Sequence, residues 1–228
     1  MSTLIRFENV TLGYEGQPVI KDLNFEVNEG DYLCVIGENG SGKSTMMKAL
    51  LGFLTPMSGT IYKDKKLKNA IGYLPQQQPS QADFPASVKE VVLSGCQGRK
   101  KIFSFYSAAD RKLAERNIEK MNIQHLKNRS FRELSGGQKQ RALLARAMCA
   151  AEDLMLLDEP VSGLDPTATA DLYKTIEQLN RDGMTVIMIT HDIGHVTDAA
   201  SHVLKLGHTM LFFGTAEEYR ESAGKEGI

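Results

Sequence analysis

A glycine-rich stretch, residues 37–45, carries the residue types and the spacing that bind phosphate. It completes the pattern G-x-x-x-x-G-K-[ST] directly after the apolar run 32–36, which predicts a buried strand. Glycines in the loop let backbone N–H groups and a following helix N-terminus converge on an anion. Lys43 is suited to bridge the β- and γ-phosphates of a nucleotide, and the Ser44 hydroxyl group to ligate Mg²⁺. The candidate ligands are Gly37, Asn39, Gly40, Ser41, Gly42, Lys43, Ser44 and Thr45.

Two adjacent carboxylates, Asp158 and Glu159, follow the apolar run 154–157. Carboxylates at the carboxyl end of a buried parallel strand lie beside the phosphate loop in a doubly wound sheet. We expect Asp158 to hold Mg²⁺, usually through water, and Glu159 to polarise the attacking water. Alone, the pair is more typical of a strand end entering a polar loop, but the phosphate loop favours the catalytic interpretation.

A second candidate anion site is the segment Leu134–Gln138, which precedes a long run of strong helix formers. Ser135 is a candidate N-cap, and two glycines expose the first helical turn. A capping loop before a core helix would have the same local sequence. In a chain that already has one phosphate site, however, the segment suggests a composite site between two subunits.

The strands and helices that position these residues predict an α/β fold in a single domain, residues 1–228. Residues 4–27 and 58–74 show short β-rich segments. After residue 150, buried strands alternate with helices, the first of which is predicted over residues 166–180. We assign residues 1–75 and 151–228 to an α/β core with an N-terminal antiparallel β-subdomain. Residues 76–150 form a mostly helical insertion, in which residues 87–93 and 108–121 show helical periodicity.

Composition excludes several classes of protein. The 27 basic and 28 acidic residues nearly cancel and are scattered, so a nucleic-acid surface is not expected. Three cysteines without C-x-x-C spacing fit a reducing cytoplasm. No signal peptide is expected, and no apolar run approaches the ~20 residues of a membrane span. Any membrane role would require a partner.

Taken together, these motifs resemble those of the ATP-binding-cassette ATPases, over essentially the whole chain and in the family order. The resemblance implies a P-loop NTPase core that uses ATP and Mg²⁺. The matching positions are Tyr14 (the adenine-stacking aromatic), Gly37–Thr45 (Walker A), Gln76 (the glutamine loop), Leu134–Gln138 (the signature), Leu154–Asp158 with Glu159 (Walker B and its glutamate), Ser162–Asp165 (the D-loop) and His191 (the switch histidine).

The resemblance also implies two cassettes that meet head to tail, with Ser135 and Gly137 of one copy reaching the γ-phosphate held by the other. Glu159 would be the general base, and His191 would contact the γ-phosphate. Gln76 would contact Mg²⁺ or the lytic water. Asp165 would couple the two sites across the interface, and Tyr14 would stack on adenine. Tyr14 could instead be a plain strand aromatic, and Gln76 is one of three successive glutamines.

Partners follow from the same resemblance: integral membrane permease subunits that dock near residues 76–100 at the cytoplasmic face, and indirectly an extracytoplasmic substrate-binding protein. The chain looks most like zinc and manganese importer ATPases, in its 58–73 connection, its 84–95 segment and the expected absence of a C-terminal regulatory domain. Importers of iron-siderophores or cobalamin are alternatives. A soluble cassette protein acting on ribosomes or DNA would usually carry two cassettes or a coiled-coil insertion. A small-molecule kinase would have no use for the Ser135 segment.

Overall fold

A computed structural model describes residues 2–67, 70–76, 85–99, 105–192, 194 and 198–225. The strands are β1 (Thr3–Tyr14), β2 (Gln17–Asn28), β3 (Tyr32–Gly37), β4 (Ser58–Lys63), β5 (Ile71–Leu74), β6 (Leu154–Asp158), β7 (Thr185–Ile189), β8 (His202–Leu206) and β9 (Met210–Thr215). The helices are α1 (Lys43–Leu50), α2 (Val88–Ser94), α3 (Ala108–Lys120), α4 (Gly136–Ala150), α5 (Pro166–Arg181) and α6 (Ala216–Lys225). Residues 1–67 with 183–228 form a first unit, and residues 68–182 form a second unit.

An antiparallel sheet in the first unit confirms the predicted N-terminal β-region. β1 lies between β2 and β4 and pairs antiparallel with both. Cross-strand aromatic packing stabilises the pairing, since the rings of Phe7 and Phe25 stack with centroids 4.4 Å apart. The side chains of both residues are buried.

A mixed sheet in the first unit carries the phosphate loop. β3 pairs in parallel with β7 on one side and with β8 on the other, and β9 runs antiparallel to β8. β7 is buried throughout and β3 up to Ile36, as expected for strands covered on both faces. Val35 pairs with Ile189 in the register of these strands, so the carboxyl ends of β3 and β7 lie at the same edge of the sheet.

The second unit contains a parallel pair of strands and most of the helices. β5 pairs in parallel with β6, and Leu74 is level with Leu157. The helices predicted near residues 87–93 and 108–121 are present as α2 and α3. Each begins at a serine in a capping box, Ser87 with Glu90 and Ser107 with Asp110, and these reciprocal bonds fix where the helices start.

In the part of the chain that the structure describes, no helix has the length and apolar character needed to cross a membrane. The division between core and insertion at residues 76 and 150 stays a prediction.

Lys63 closes the C-terminal end of α1. Its Nζ donates to the carbonyl oxygens of Ala49 and Leu50 at 3.0 and 2.6 Å, and burial lowers the pKa of this half-buried amine. We expect Lys63→Met to lower the free energy of unfolding by roughly 1–2 kcal/mol, because two helix carbonyls lose their charged donor. Thermal denaturation should show a fall of about 2–4 °C per kcal/mol.

The matched control for this substitution is Lys66→Met, in the same segment. Lys66 pairs with Glu29, and both side chains are partly exposed. Such surface pairs contribute little, about 0–1 kcal/mol. Equal melting temperatures for the two variants would contradict a capping role for Lys63.

Candidate functional site

The phosphate loop, Gly37–Thr45, runs from the end of β3 into the first turns of α1. Gly42 is the N-cap of α1 with φ 94°, in the left-handed region that favours glycine. A Cβ at Gly42 would lie 2.2 Å from the side chain of Ile20. One at Gly37 would lie 2.3 Å from the carbonyl oxygen of Leu206. The glycines predicted from the motif are therefore required by backbone conformation and by space.

Buried polar atoms line this loop. Lys43 is 7% exposed, and its Nζ donates to the carbonyl oxygens of Gly37 and Glu38 at 2.7 and 2.8 Å. Among the described residues, Ser41 Oγ is the one buried side-chain oxygen or nitrogen atom without a hydrogen-bond partner. The N-terminus of α1 lacks a side-chain cap. Because buried polar atoms normally find partners, this arrangement fits a polyphosphate that accepts hydrogen bonds.

Two further candidates in the first unit are Tyr14 and His191. Tyr14 is 42% exposed, and its hydroxyl group lies 3.3 Å from the Nζ of Lys48. The same Nζ is 5.3 Å from the ring centroid, so the lysine engages the hydroxyl end of the ring. Tyr14 is thus more accessible than a packed strand aromatic, and stacking on adenine stays a prediction.

His191 is exposed and follows β7 by two residues. The preceding residue, Thr190, donates its N–H to the carbonyl of Val35 at 3.2 Å, and its hydroxyl accepts from the N–H of Asp192 at 3.1 Å. These bonds tie the start of the His191 loop to β3. Within the first unit, His191 therefore lies at the sheet edge from which the phosphate loop leaves.

The second unit brings Asp158, Glu159 and Gln76 together. Asp158 ends β6 and is 8% exposed, whereas Glu159 is half-buried. The Nε2 of Gln76 donates to Oε2 of Glu159 at 2.7 Å. Burial, and secondarily the charge of Asp158, raises the pKa of Tyr73 on the neighbouring strand. The contact between Gln76 and Glu159 was not predicted, because residues 83 positions apart give no local signal.

The backbone of Glu159 adopts an unusual conformation, with φ 48°. A left-handed conformation costs a residue other than glycine roughly 1–2 kcal/mol. The next residue is Pro160, and a proline disfavours the right-handed helical conformation for the residue before it. The right-handed helical alternative is therefore unfavourable for Glu159 too. Such strain persists where the surroundings impose it, commonly at functional sites.

The signature motif, Leu134–Gln138, forms the start of α4. The Ser135 side chain accepts from the N–H of Gln138, whose own side chain accepts from the N–H of Ser135. A Cβ at Gly137 would lie 3.2 Å from Cβ of Ala168 on α5. The predicted N-cap is confirmed, and the exposed serine hydroxyl and first-turn N–H groups are donors suited to an anion.

Asp165 is the N-cap of α5, where its Oδ1 accepts from the N–H of Ala168 at 2.9 Å. This exposed carboxylate therefore has a local structural role. Its predicted coupling role across a subunit interface stays a prediction.

The structure also has a polar residue that the motif analysis missed. Gln140 on α4 is 1% exposed, and its Nε2 donates to the carbonyl oxygen of Pro160. The sequence does contain a signal for it. Gln140 falls four and eight positions before Leu144 and Met148, on the buried stripe of the helix.

Candidate metal ligands are oxygen donors spread over both units. No group of three or more His, Cys, Asp or Glu side chains among the described residues could hold a metal ion. That is compatible with Mg²⁺ that arrives on a nucleotide, because such an ion is held through few protein ligands together with phosphates and water. The chemistry of the predicted ligands fits a hard cation; they are Ser44, Asp158 and Gln76.

All three cysteines, Cys34, Cys96 and Cys149, are buried, and burial raises the pKa of the Cys34 thiol.

Residues 77–84 and 100–104 lie outside the described residues, and so does the Phe84 position on which part of the metal-importer resemblance depends.

Comparison with known proteins provides independent information. The sequence model of a family described as ABC transporter matches residues 20–162. The zinc uptake system ATP-binding protein ZurA of Listeria innocua is 34% identical over 96% of this chain and 89% of its own. The manganese transport system ATP-binding protein MntB of Bacillus subtilis is 35% identical over 93% and 87%. A chain of a metal-chelate type ABC transporter in an inward-facing conformation aligns with TM-score 0.86 at 34% identity, covering 95% of this chain and 85% of that chain.

Proposed function

The chain belongs to the ABC transporter family, and on this premise we propose that it is the ATP-hydrolysing subunit of an importer for zinc or manganese. The assignment of zinc or manganese as cargo depends on the similarity to ZurA and MntB, which extends over 96% and 93% of this chain. The phosphate loop supports the use of ATP, because a buried lysine and a helix N-terminus there suit a triphosphate.

In the proposed reaction, each polar residue has one task. Lys43 contacts the β- and γ-phosphates, and the loop N–H groups hold their oxygens. Ser44, Asp158 and Gln76 would hold Mg²⁺, whose charge would offset the negative charge of the phosphates. His191 contacts the γ-phosphate, and Tyr14 stacks on adenine.

Glu159 acts as the general base that orients and deprotonates the attacking water. Its half-buried carboxylate receives a hydrogen bond from Gln76 and has a backbone conformation that few glutamates adopt. Both features restrict where the carboxylate points, which is what positioning of a water molecule requires.

The chain acts as a head-to-tail dimer in this proposal. The exposed N-terminus of α4 supports it, because Ser135 and Gly137 offer donors suited to the γ-phosphate held by the second copy. Asp165 would couple the two sites. Integral membrane permease subunits would dock on residues near 76–100 at the cytoplasmic face of the membrane. A substrate-binding protein outside the cytoplasm would deliver cargo to the permease.

Two alternatives differ in what they predict. An importer of iron-siderophores or cobalamin would keep every ATP-related residue and differ in its permease and substrate-binding protein. A soluble cassette protein would sediment with ribosomes or DNA instead of membranes.

The test is the zinc and manganese content of cells under metal limitation, measured by elemental mass spectrometry. Cells lacking this chain are compared with cells restored with the parental protein or with Glu159→Gln. We expect a deficit in one of the two metals that only the parental form restores, because uptake depends on hydrolysis. Equal content of both metals in all strains would mean that the cargo belongs to another class of substrate.

A further inference from the structure

We propose that Gln140 is a positioning residue for Glu159, which it controls from within α4 by holding the backbone of Pro160. The inference rests on the proposed function, because it takes Glu159 as the general base. It links the helix that begins with the signature motif to the carboxylate that activates water.

The first observation is the burial of Gln140. An amide side chain that is 1% exposed is costly unless it is hydrogen-bonded, and its Nε2 donates to the Pro160 carbonyl. The same face of α4 carries Leu144 and Met148, where an apolar residue would normally stand. The bond to Pro160 therefore gives a physical reason for a polar residue at this buried position.

The second observation is the backbone around Glu159. Its carbonyl accepts from the N–H of Ser162 at 3.1 Å, which closes a turn with Pro160 as the first central residue. The proline ring fixes its own φ, so a held carbonyl at Pro160 leaves the segment little freedom. Glu159 has φ 48°, a conformation that persists only when its surroundings impose it.

Loss of the bond from Gln140 removes one of these constraints. The backbone of Glu159 can then relax towards negative φ, which moves its carboxylate away from the 2.7 Å contact with Gln76. The residues of this step all belong to the second unit, and none of them is part of the phosphate loop. Turnover should therefore fall while ATP affinity is kept.

The test uses the purified full chain and the variant Gln140→Met, which is similar in volume and has no donor. ATP affinity is measured by calorimetry, kcat and KM by phosphate release, and stability by thermal denaturation. We expect kcat to fall about 10- to 100-fold, as for a misplaced catalytic group, with the ATP dissociation constant and KM within about twofold of parental.

The matched control is Asn117→Leu. Asn117 is also buried, and its Nδ2 contacts Sγ of Cys149 at the far end of α4. This substitution should lower the melting temperature and leave kcat unchanged. A kcat of Gln140→Met equal to that of the parental chain or of Asn117→Leu would overturn the proposal.

A second variant, Gln140→Glu, decides the question through pH, even where Gln140→Met does not fold. A protonated carboxyl group can donate to Pro160, whereas the ionised form cannot, and burial favours the protonated form. The ratio of variant to parental kcat should therefore fall as pH rises through the pKa of the introduced carboxyl group, and a ratio that stays constant across that ionisation would contradict the proposal. Parental turnover in Glu159→Gln would instead refute the general-base assignment, so the two failures are distinguishable.

Discussion

Glu159→Gln is expected to bind Mg-ATP as well as the parental chain does and to lose about 10²–10⁴-fold in kcat. The substitution keeps the size of the side chain and its capacity to bond with Gln76, whose Nε2 lies 2.7 Å from Oε2 in the parental protein. It removes the negative charge of the carboxylate and, with it, the ability to accept a proton. Phosphate release under saturating ATP measures the loss, and calorimetry checks the binding.

A stalled variant should also accumulate as a dimer, because ATP held between two copies is not cleared. Gel filtration with and without Mg-ATP detects this change. Glu119→Gln is the matched control, since it removes an exposed carboxylate of the same unit, on α3. Parental turnover in Glu159→Gln would show that another group activates the water.

Lys43→Ala is expected to weaken ATP binding by roughly 10- to 150-fold, the equivalent of ~1.5–3 kcal/mol for a bond between charged groups. The Nζ of Lys43 is already held by the carbonyls of Gly37 and Glu38, so it is positioned before nucleotide arrives. A contact that is organised in advance costs little to form on binding. Isothermal titration with Mg-ATP measures the change.

Lys21→Ala provides the control for charge alone, because Lys21 is an exposed lysine of the same unit. Its ATP affinity should match that of the parental chain. A Lys43→Ala variant with parental affinity and a lowered melting temperature would mean that the lysine only braces the loop.

Local features were the ones that sequence could predict. The phosphate loop, the N-cap at Ser135 and the helices near Ser87 and Pro166 depend on neighbours a few positions away, so spacing alone specified them.

Residues 58–74 were predicted only as strands. The structure separates them into β4, which joins the antiparallel sheet, and β5, which pairs with β6.

Contacts between distant segments were not predicted, because periodicity does not specify which strand or loop a residue meets. Gln76 reaches Glu159 across 83 positions, and Gln140 reaches Pro160 across 20. The left-handed backbone at Glu159 was also not predicted. A glycine in the sequence indicates that a positive φ is possible, whereas a glutamate gives no such signal.

Burial shields the thiols of Cys34, Cys96 and Cys149 from metal ions and reagents in solution. Thiolates are strong zinc ligands and are also the species that react with maleimides, but buried thiols are inert to both. Zinc added to a transport assay should therefore not be taken up by these side chains. A cysteine introduced on the surface can carry a fluorophore without removal of the native three, so energy transfer between labelled copies can test the proposed nucleotide-driven association.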